Sequence, residues 1–458
     1  MPDTSASAPP PQRAARPLWR DPGFFKLYAA GTISVFGSLV TRTALPFAAI
    51  LVLGAGPIGI AVLRTVEFGG SLLVGFVAGA WVDRLRRRPV MVWADLGRAV
   101  LLGSIPVAAT LGVLGFPQLL AVAFGAAILT TFFTTAERAY LPTLVGRDRL
   151  IRANSIIGAT ASTAEFLAFG IGGVLITLLT APIAIAVDAA SFVISGGLIA
   201  AIRHREPPPP PPAAREPILR EVREGLALVV RTPTLRALVL ARGAAHLLWG
   251  VYGAVYLVYA SGELGLSPAA IGVISGLGGL ASLAGASLTP RLVARLGAGR
   301  TMLGALALFS LAAVCLPIAP AGAPLLAAVL LATAQAGDAG ATAADIVDTS
   351  LVAASAPGRT LGRVTASMDF FTTLVSLAGT IVGGLVGELV GIRVAFWLGL
   401  AGGAAGFAAV WFSPIRGVRE MTIEPETVAA VEAEDAERSE EHTSELQSLA
   451  YLRMPSSA

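Results

Sequence analysis

The sequence predicts an all-α membrane protein of twelve transmembrane helices, arranged as two halves of six. Three observations carry this reading. Of 458 residues, 55% are hydrophobic and only 14% are charged, whereas soluble domains carry about 25% charged residues. The chain divides into apolar runs of roughly 20 residues, the length that crosses about 30 Å of hydrocarbon. The loops between the runs alternate between arginine-rich and arginine-free, the pattern by which polytopic chains record their orientation.

Residues 1–21 are rich in Pro, Ala and Arg and are expected to be disordered and cytoplasmic, with no signal-peptide pattern. The first bundle, 22–202, holds spans near 24–52, 58–82, 90–114, 117–137, 153–179 and 183–202. A linker follows at 203–232. Its six consecutive prolines, Pro207–Pro212, cannot be helical and favour extended polyproline II. A spacer and a PxxP ligand are both compatible with that run. The charged segment from Glu216 to Val230 is expected to lie along the membrane face. The second bundle, 233–413, holds spans near 233–260, 269–290, 300–319, 323–348, 363–388 and 393–413. Residues 414–437 form a cytoplasmic tail. Arg438 to Ser448 reads RSEEHTSELQS, which resembles a translated sequencing adapter. Residues 438–458 are therefore expected to be foreign to the gene, and finding the same codons in adapter-free genomic sequence would refute this.

The loops at 54–57, 115–117, 180–182, 261–268 and 320–322 contain no Lys or Arg. Those at 84–88, 147–152, 203–236, 291–300 and 359–363 are basic, and Arg393 alone breaks the alternation. Both termini are thereby assigned to the cytoplasm. The net charge of +4 does not argue for nucleic acid, because the arginines mark loops. One cysteine, Cys315, excludes a disulfide framework and a cysteine metal cluster. No GxxxxGK[ST] loop occurs, so ATP is not the direct energy source. No cofactor, no metal and no enzymatic centre is expected.

Gly79 to Met91 reads GAWVDRLRRRPVM. Gly79, Asp83, Arg84, Arg87 and Arg88 resemble the signature loop between the second and third helices of the major facilitator superfamily. Arg86 stands where that family usually has glycine. Further stretches resemble its twelve-span macrolide, multidrug and siderophore exporters: Ala136-Glu137-Arg138-Ala139 with Leu141-Pro142, Arg152-Ala153-Asn154, Asp188-Ala-Ala-Ser191-Phe192 and Glu224-Gly225. The exporters' fifth-span Gly-Pro is replaced by Ala168-Phe169, although Gly172-Gly173 is present.

The resemblance implies two pseudo-symmetric six-helix bundles around a central cavity, working by alternating access. It also implies a gate, in which Asp83 meets the start of the eleventh span near Gly362 and Arg87 pairs with Glu137. The function implied is proton-coupled efflux of amphipathic small molecules across the cell membrane by a monomer. The partners would be the substrate, protons and the bilayer, with no nucleic acid. A dedicated siderophore or natural-product exporter, an importer, and a non-transporting receptor or scaffold remain as alternatives.

Charges inside the hydrocarbon cost about 2.5–3.5 kcal/mol each on insertion scales and need a partner or a task. Arg42, Arg64 and Glu67 fall at matched depth, about 22–27 Å from the cytoplasmic end by helical rise. They form either a packing cluster or a substrate contact. Arg242 and His246 share a face of the seventh span, and Asp338 and Asp345 share a face of the tenth. Asp338, with His246 and Arg242 opposite, is the first candidate to carry a proton. Glu165 in the fifth span is the second. Asp348 and Asp369 read as anchors of helix ends. Trp249 and Tyr252, with Tyr256 and Tyr259, form either packing or a substrate-stacking wall.

Overall fold

Apolar composition and terminal punctuation together set the helices. The structure, a computed structural model, describes residues 18–82, 84–204, 206, 226–356 and 360–419. The expectations for residues 1–17 and 420–458, the polyproline run and Asp83 fall outside these residues, whereas Leu18–Arg20, expected to be disordered, form a short 3-10 helix with Leu18 buried. The first six spans are α1 Pro22–Leu53, α2 Pro57–Val82, α3 Arg87–Thr110, α4 Phe116–Val145, α5 Arg147–Leu179 and α6 Ala181–Ala200. The seventh and eighth are α7 Pro233–Val258 and α8 Pro268–Leu296. The ninth joins α9 Ala298–Ala313 to the short α10 Cys315–Ile318, and the tenth joins α11 Pro324–Ala334 to α12 Gly337–Ser355. The last two are α13 Leu361–Leu389 and α14 Ile392–Trp411. Among the described residues eleven spans are long and apolar enough to cross a membrane. The twelfth, α5, opens on Arg147, Asp148, Arg149 and Arg152, and its apolar stretch is Gly170–Leu179.

Start and stop signals are local. Asp21 caps α1 by accepting from Gly23 N (3.0 Å) and Phe24 N (3.3 Å), with Pro22 in the first turn. Gly54, at φ 65°, ends α1 in the left-handed conformation that glycine adopts without Cβ strain. Thr180 takes φ 78° between α5 and α6, the only described non-glycine residue at positive φ.

The chain divides into two compact units. One comprises residues up to Ala214 with the hairpin Tyr256–Gly276, and the other comprises Arg215–Val255 with residues from Leu277 onward. In the first, α1 packs on α6 and α5, α3 on α6 and α4, and α2 on α4. Its apolar core includes Phe24, Leu27, Met91, Tyr140, Leu141 and Ile199. The hairpin belongs there because Ala269 N donates to Thr177 Oγ1 of α5 (2.9 Å), and a Cβ on Gly173 would stand 2.9 Å from Gly272 Cα. In the second unit, Leu235, Leu238, Met302, Val347, Leu351 and Met368 form the core. Lipid supplies little drive for helices to associate, so close backbone approach matters more than in water. A Cβ on Gly379 would lie 2.5 Å from Leu247 O, and one on Gly383 would lie 2.8 Å from Val251 Cα. These two glycines let α13 cross directly on α7.

Candidate functional site

The signature loop is a tight turn. Arg84 N donates to Trp81 O (3.1 Å) and Leu85 N to Val82 O (3.2 Å), and α3 begins at Arg87. Gly79 lies in the last turn of α2. The residue before α3, Arg86, offers no side-chain cap. The linker supplies one instead: Glu206 accepts from Arg87 N and Arg88 N, both at 2.8 Å. A carboxylate there satisfies two orphan donors and meets the positive end of the helix dipole. The guanidinium of Arg88 turns the opposite way, donating to Ile199 O (3.1 Å) and Ala200 O at the end of α6. Lys26 Nζ donates to Ala201 O (2.8 Å). Acid therefore sits on a helix start and bases on a helix end. Glu206→Gln keeps the shape and weakens the cap. It is expected to cost about 1 kcal/mol, read as a lower unfolding midpoint of the purified protein in detergent.

Arg87 is buried, and among the described residues its Nε has no hydrogen-bond partner. The sequence pairs it with Glu137, but the structure brings Glu137 elsewhere. Its Oε1 faces α1, 3.4 Å from where a Cβ on Gly31 would stand. The cations acting on Glu137 are Arg98 and Arg138.

The matched depth of the outer charges yields contact. Arg64 Nη1 pairs with Glu67 Oε2 at 3.0 Å, and Arg64 Nη2 reaches Arg42 O at 3.4 Å. In the second unit Arg242 binds Asp348 through Nε (2.8 Å) and Nη2, and binds Asp369 Oδ1 through Nη1 (2.9 Å). One guanidinium thus ties α7, α12 and α13 together. His246 Nδ1 donates to Arg242 O (2.9 Å), which fixes its ring on its own helix.

Asp338 lies apart from Arg242, contrary to the arrangement expected from the sequence. It occupies the first turn of α12, after a break in the tenth span at Gln335–Ala336. Its backbone N donates to Gln335 O (3.1 Å). Its carboxylate abuts Gly278 of α8, where an added Cβ would collide with Oδ2 and lie 2.9 Å from Gln335 Nε2. Among the described residues Asp338 forms no ion pair. Asp345 lies two turns further along α12. Trp249 stacks on Phe309 of α9 (6.1 Å, 24°) and meets Tyr252 edge-on (5.6 Å, 73°). Trp249 is thus held by ring packing on its neighbours while staying 43% exposed. The side chain of Glu165 lies outside the described set.

Sequence reasoning missed one cluster. Asp95 and Arg98 form an ion pair on α3, both almost wholly buried. The Arg98 guanidinium lies between the rings of Phe133 (4.5 Å) and Phe192 (4.0 Å). Asp188 of α6 is fully buried beside them and accepts from Ser191 Oγ (3.0 Å). The signal was available: an acid and a base at i, i+3 inside an apolar run. The sequence reading placed both within the span 90–114 and weighed the charges of other spans without them.

Known proteins fit this geometry. A sequence model described as Major Facilitator Superfamily matches residues 27–344 and 238–453. An uncharacterized MFS-type transporter, y4rN of Sinorhizobium fredii, is 25% identical over 279 residues, 59% of this chain and 68% of that protein. Macrolide efflux protein A of Streptococcus pyogenes is 24% identical over 47% of this chain and 53% of its own length. Multidrug efflux pump Tap of Mycolicibacterium fortuitum is 33% identical over 36% and 42%. Among solved structures, a bacterial homologue of the iron transporter ferroportin, inward-facing, superposes with TM-score 0.65 at 19% identity. It covers 83% of this chain and 98% of its own. The nucleoside transporter NupG superposes with TM-score 0.66 at 12% identity, over 85% and 97%. These two likenesses concern the fold alone.

Proposed function

The chain belongs to the major facilitator superfamily, and on that premise we propose that it exports amphipathic small molecules by alternating access, driven by the proton gradient. It is a multi-span transporter and not an enzyme. Efflux is supported by the partial likeness to macrolide efflux protein A and to Tap. The observation that carries proton coupling is Asp338, a carboxyl at a break in a spanning helix that makes no described ion pair. Broken spanning helices expose backbone groups that can serve ion and substrate sites. His246, on a neighbouring helix, is the second titratable group, and Glu165 is the reserve carrier. Arg42, Glu67, Arg242, Trp249, Tyr252 and Asp345 are proposed as substrate contacts or their supports.

The test is uptake of macrolides and amphipathic fluorescent cations into proteoliposomes under an imposed pH gradient. Accumulation that follows the gradient and collapses with a protonophore supports the reading. Accumulation indifferent to the gradient overturns it.

The gate proposal rests on Gly79, Asp83, Arg84, Arg87 and Arg88, without the Glu137 pairing, since Glu137 lies toward α1 and Arg98. Asp83→Asn preserves shape and removes charge, so transport should fall severalfold while expression holds. Unchanged transport by the well-expressed variant would reduce Asp83 to a topology signal.

The reading puts the protein in the cell membrane with both termini cytoplasmic, supported by the arginine asymmetry of the loops. In a variant lacking Cys315, a cysteine at Ser267 should react with an impermeant maleimide from outside, and one at Ala213 should not. The reverse labelling would invert the topology.

A further inference from the structure

We propose that Asp95 and Asp188, gathered around Arg98 on α3, α4 and α6 of the first unit, form a second proton-binding site. For its use in transport this rests on the proton-coupled reading above. The binding itself does not.

The acids are Asp95 on α3, Asp188 on α6 and Glu137 on α4, and the cations are Arg98 on α3 and Arg138 on α4. Arg98 is committed. It pairs with Asp95 Oδ1, reaches Thr130 Oγ1 at 3.5 Å and is sandwiched by two rings. One guanidinium at the centre offsets one carboxylate, and more than one carboxyl surrounds it. A buried carboxylate without a compensating charge is unstable in proportion to its desolvation.

The two carboxyls are also sealed from water and poorly matched with donors. Asp95 and Asp188 are both 0% exposed. Among the described residues Asp95 Oδ2 and Asp188 Oδ2 meet no donor in good hydrogen-bond geometry. The fully buried Ser195 Oγ lies within reach of Asp95, and Thr41 Oγ1 within reach of Asp188, each close enough to interact but short of a well-aligned hydrogen bond. Buried polar atoms left unpaired are rare and ask for a reason. Each hydroxyl can donate to an ionised carboxylate or accept from a protonated one, so the site can satisfy both protonation states. A proton on Asp95 Oδ2 makes it an O–H donor toward Ser195 Oγ, and one on Asp188 Oδ2 makes it a donor toward Thr41 Oγ1. No bond other than O–H forms.

Close packing favours the proton over a larger cation. A Cβ on Gly37 of α1 would collide with Asp188 Oδ1 and Ser191 Oγ, and one on Gly196 would lie 3.3 Å from Asp95 Cβ. Calcium and magnesium ask for about six or more oxygens in a shell around them, and no described cluster of three ligating side chains exists. The site also joins helices. Asp188 faces α1 at Gly37 and Thr41, so changing its charge changes how α1 rests on α6.

The test reads the carboxyl directly. Infrared difference spectra of the full chain in lipid are recorded as pH is lowered. A protonated-carboxyl C=O band should grow. Asp95→Asn and Asp188→Asn should each remove part of it, while Asp338→Asn should leave that part in place. Ser195→Ala and Thr41→Val keep every charge and should shift the band without abolishing it. If the Asn variants fail to fold, these two decide. A band unmoved by Ser195→Ala and Thr41→Val overturns the proposal and leaves a fixed ion-pair framework. A spectrum that follows sodium and not pH overturns it in favour of a cation. The pH-dependent band with no gradient-driven transport would keep this site and reject the transport reading. Gradient-driven transport with no such band would do the opposite.

Discussion

Arg242→Met is expected to destabilise the second unit by about 3–5 kcal/mol, the usual cost of removing one partner of a buried pair. The guanidinium holds Asp348 through two nitrogens and Asp369 through a third. Asp348 is buried, with a side chain 5% exposed, whereas Asp369 is 62% exposed. Nearly all of the loss should therefore come from Asp348, because an exposed pair is worth about 0–1 kcal/mol. Asp348 already leaves Oδ1 without a partner, so the variant would strand the whole carboxylate between α7 and α12. The measurement is reversible unfolding in mixed micelles, together with yield after extraction. The double variant Arg242→Met with Asp348→Leu should recover most of the lost stability, because it removes the stranded charge and keeps the volume apolar. Asp369→Asn alone should shift stability by less than about 1 kcal/mol. A double variant as unstable as the single one would mean that Arg242 matters through packing alone.

Asp338→Asn is expected to abolish uphill, gradient-driven transport and to preserve substrate binding and downhill exchange. Asn has nearly the same volume and can still occupy the first turn of α12. It fits against Gly278 as the native carboxyl does, so the helix break should survive. What it loses is the ability to bind and release a proton. Efflux from vesicles with and without a pH gradient separates the two activities. Glu165→Gln should do less, and His246→Gln should alter the pH profile without abolishing transport, because its Nδ1 is held by Arg242 O. Uphill pumping by Asp338→Asn at the wild-type rate would reassign the carrier to Glu165 or to the cluster around Arg98.

The spans were legible because hydrocarbon thickness imposes a length and apolar composition imposes a class. Boundaries moved where a helix continues past its apolar run, through the charged Arg147–Arg152 at the start of α5 and through the packed Glu137–Val145 at the end of α4. One feature within a span was hidden: the break at Gln335–Ala336. Neither Gly nor Pro occupies those two positions, so no local breaker announced it. Glycine-mediated packing at Gly337 and Gly340, against Phe309 and Ala305 of α9, becomes visible only once the helices are assembled.

Depth along a helix is fixed by residue number, and the sequence therefore placed Arg64 with Glu67 and Arg242 with His246 on common faces. It determined the membrane class, the number of spans, the arginine asymmetry and which intramembrane residues carry charge. Azimuth between helices is not encoded in any one of them. Tertiary structure alone decided that Arg242 turns to Asp348 and Asp369, that Asp338 turns to Gly278, and that Glu206 caps α3 from the linker. It also decided that Asp95, Arg98 and Asp188 share one buried site. Pairing of charges from different helices depends on how those helices rotate against one another. That rotation is set by close packing, much of it through glycine, summed over whole faces.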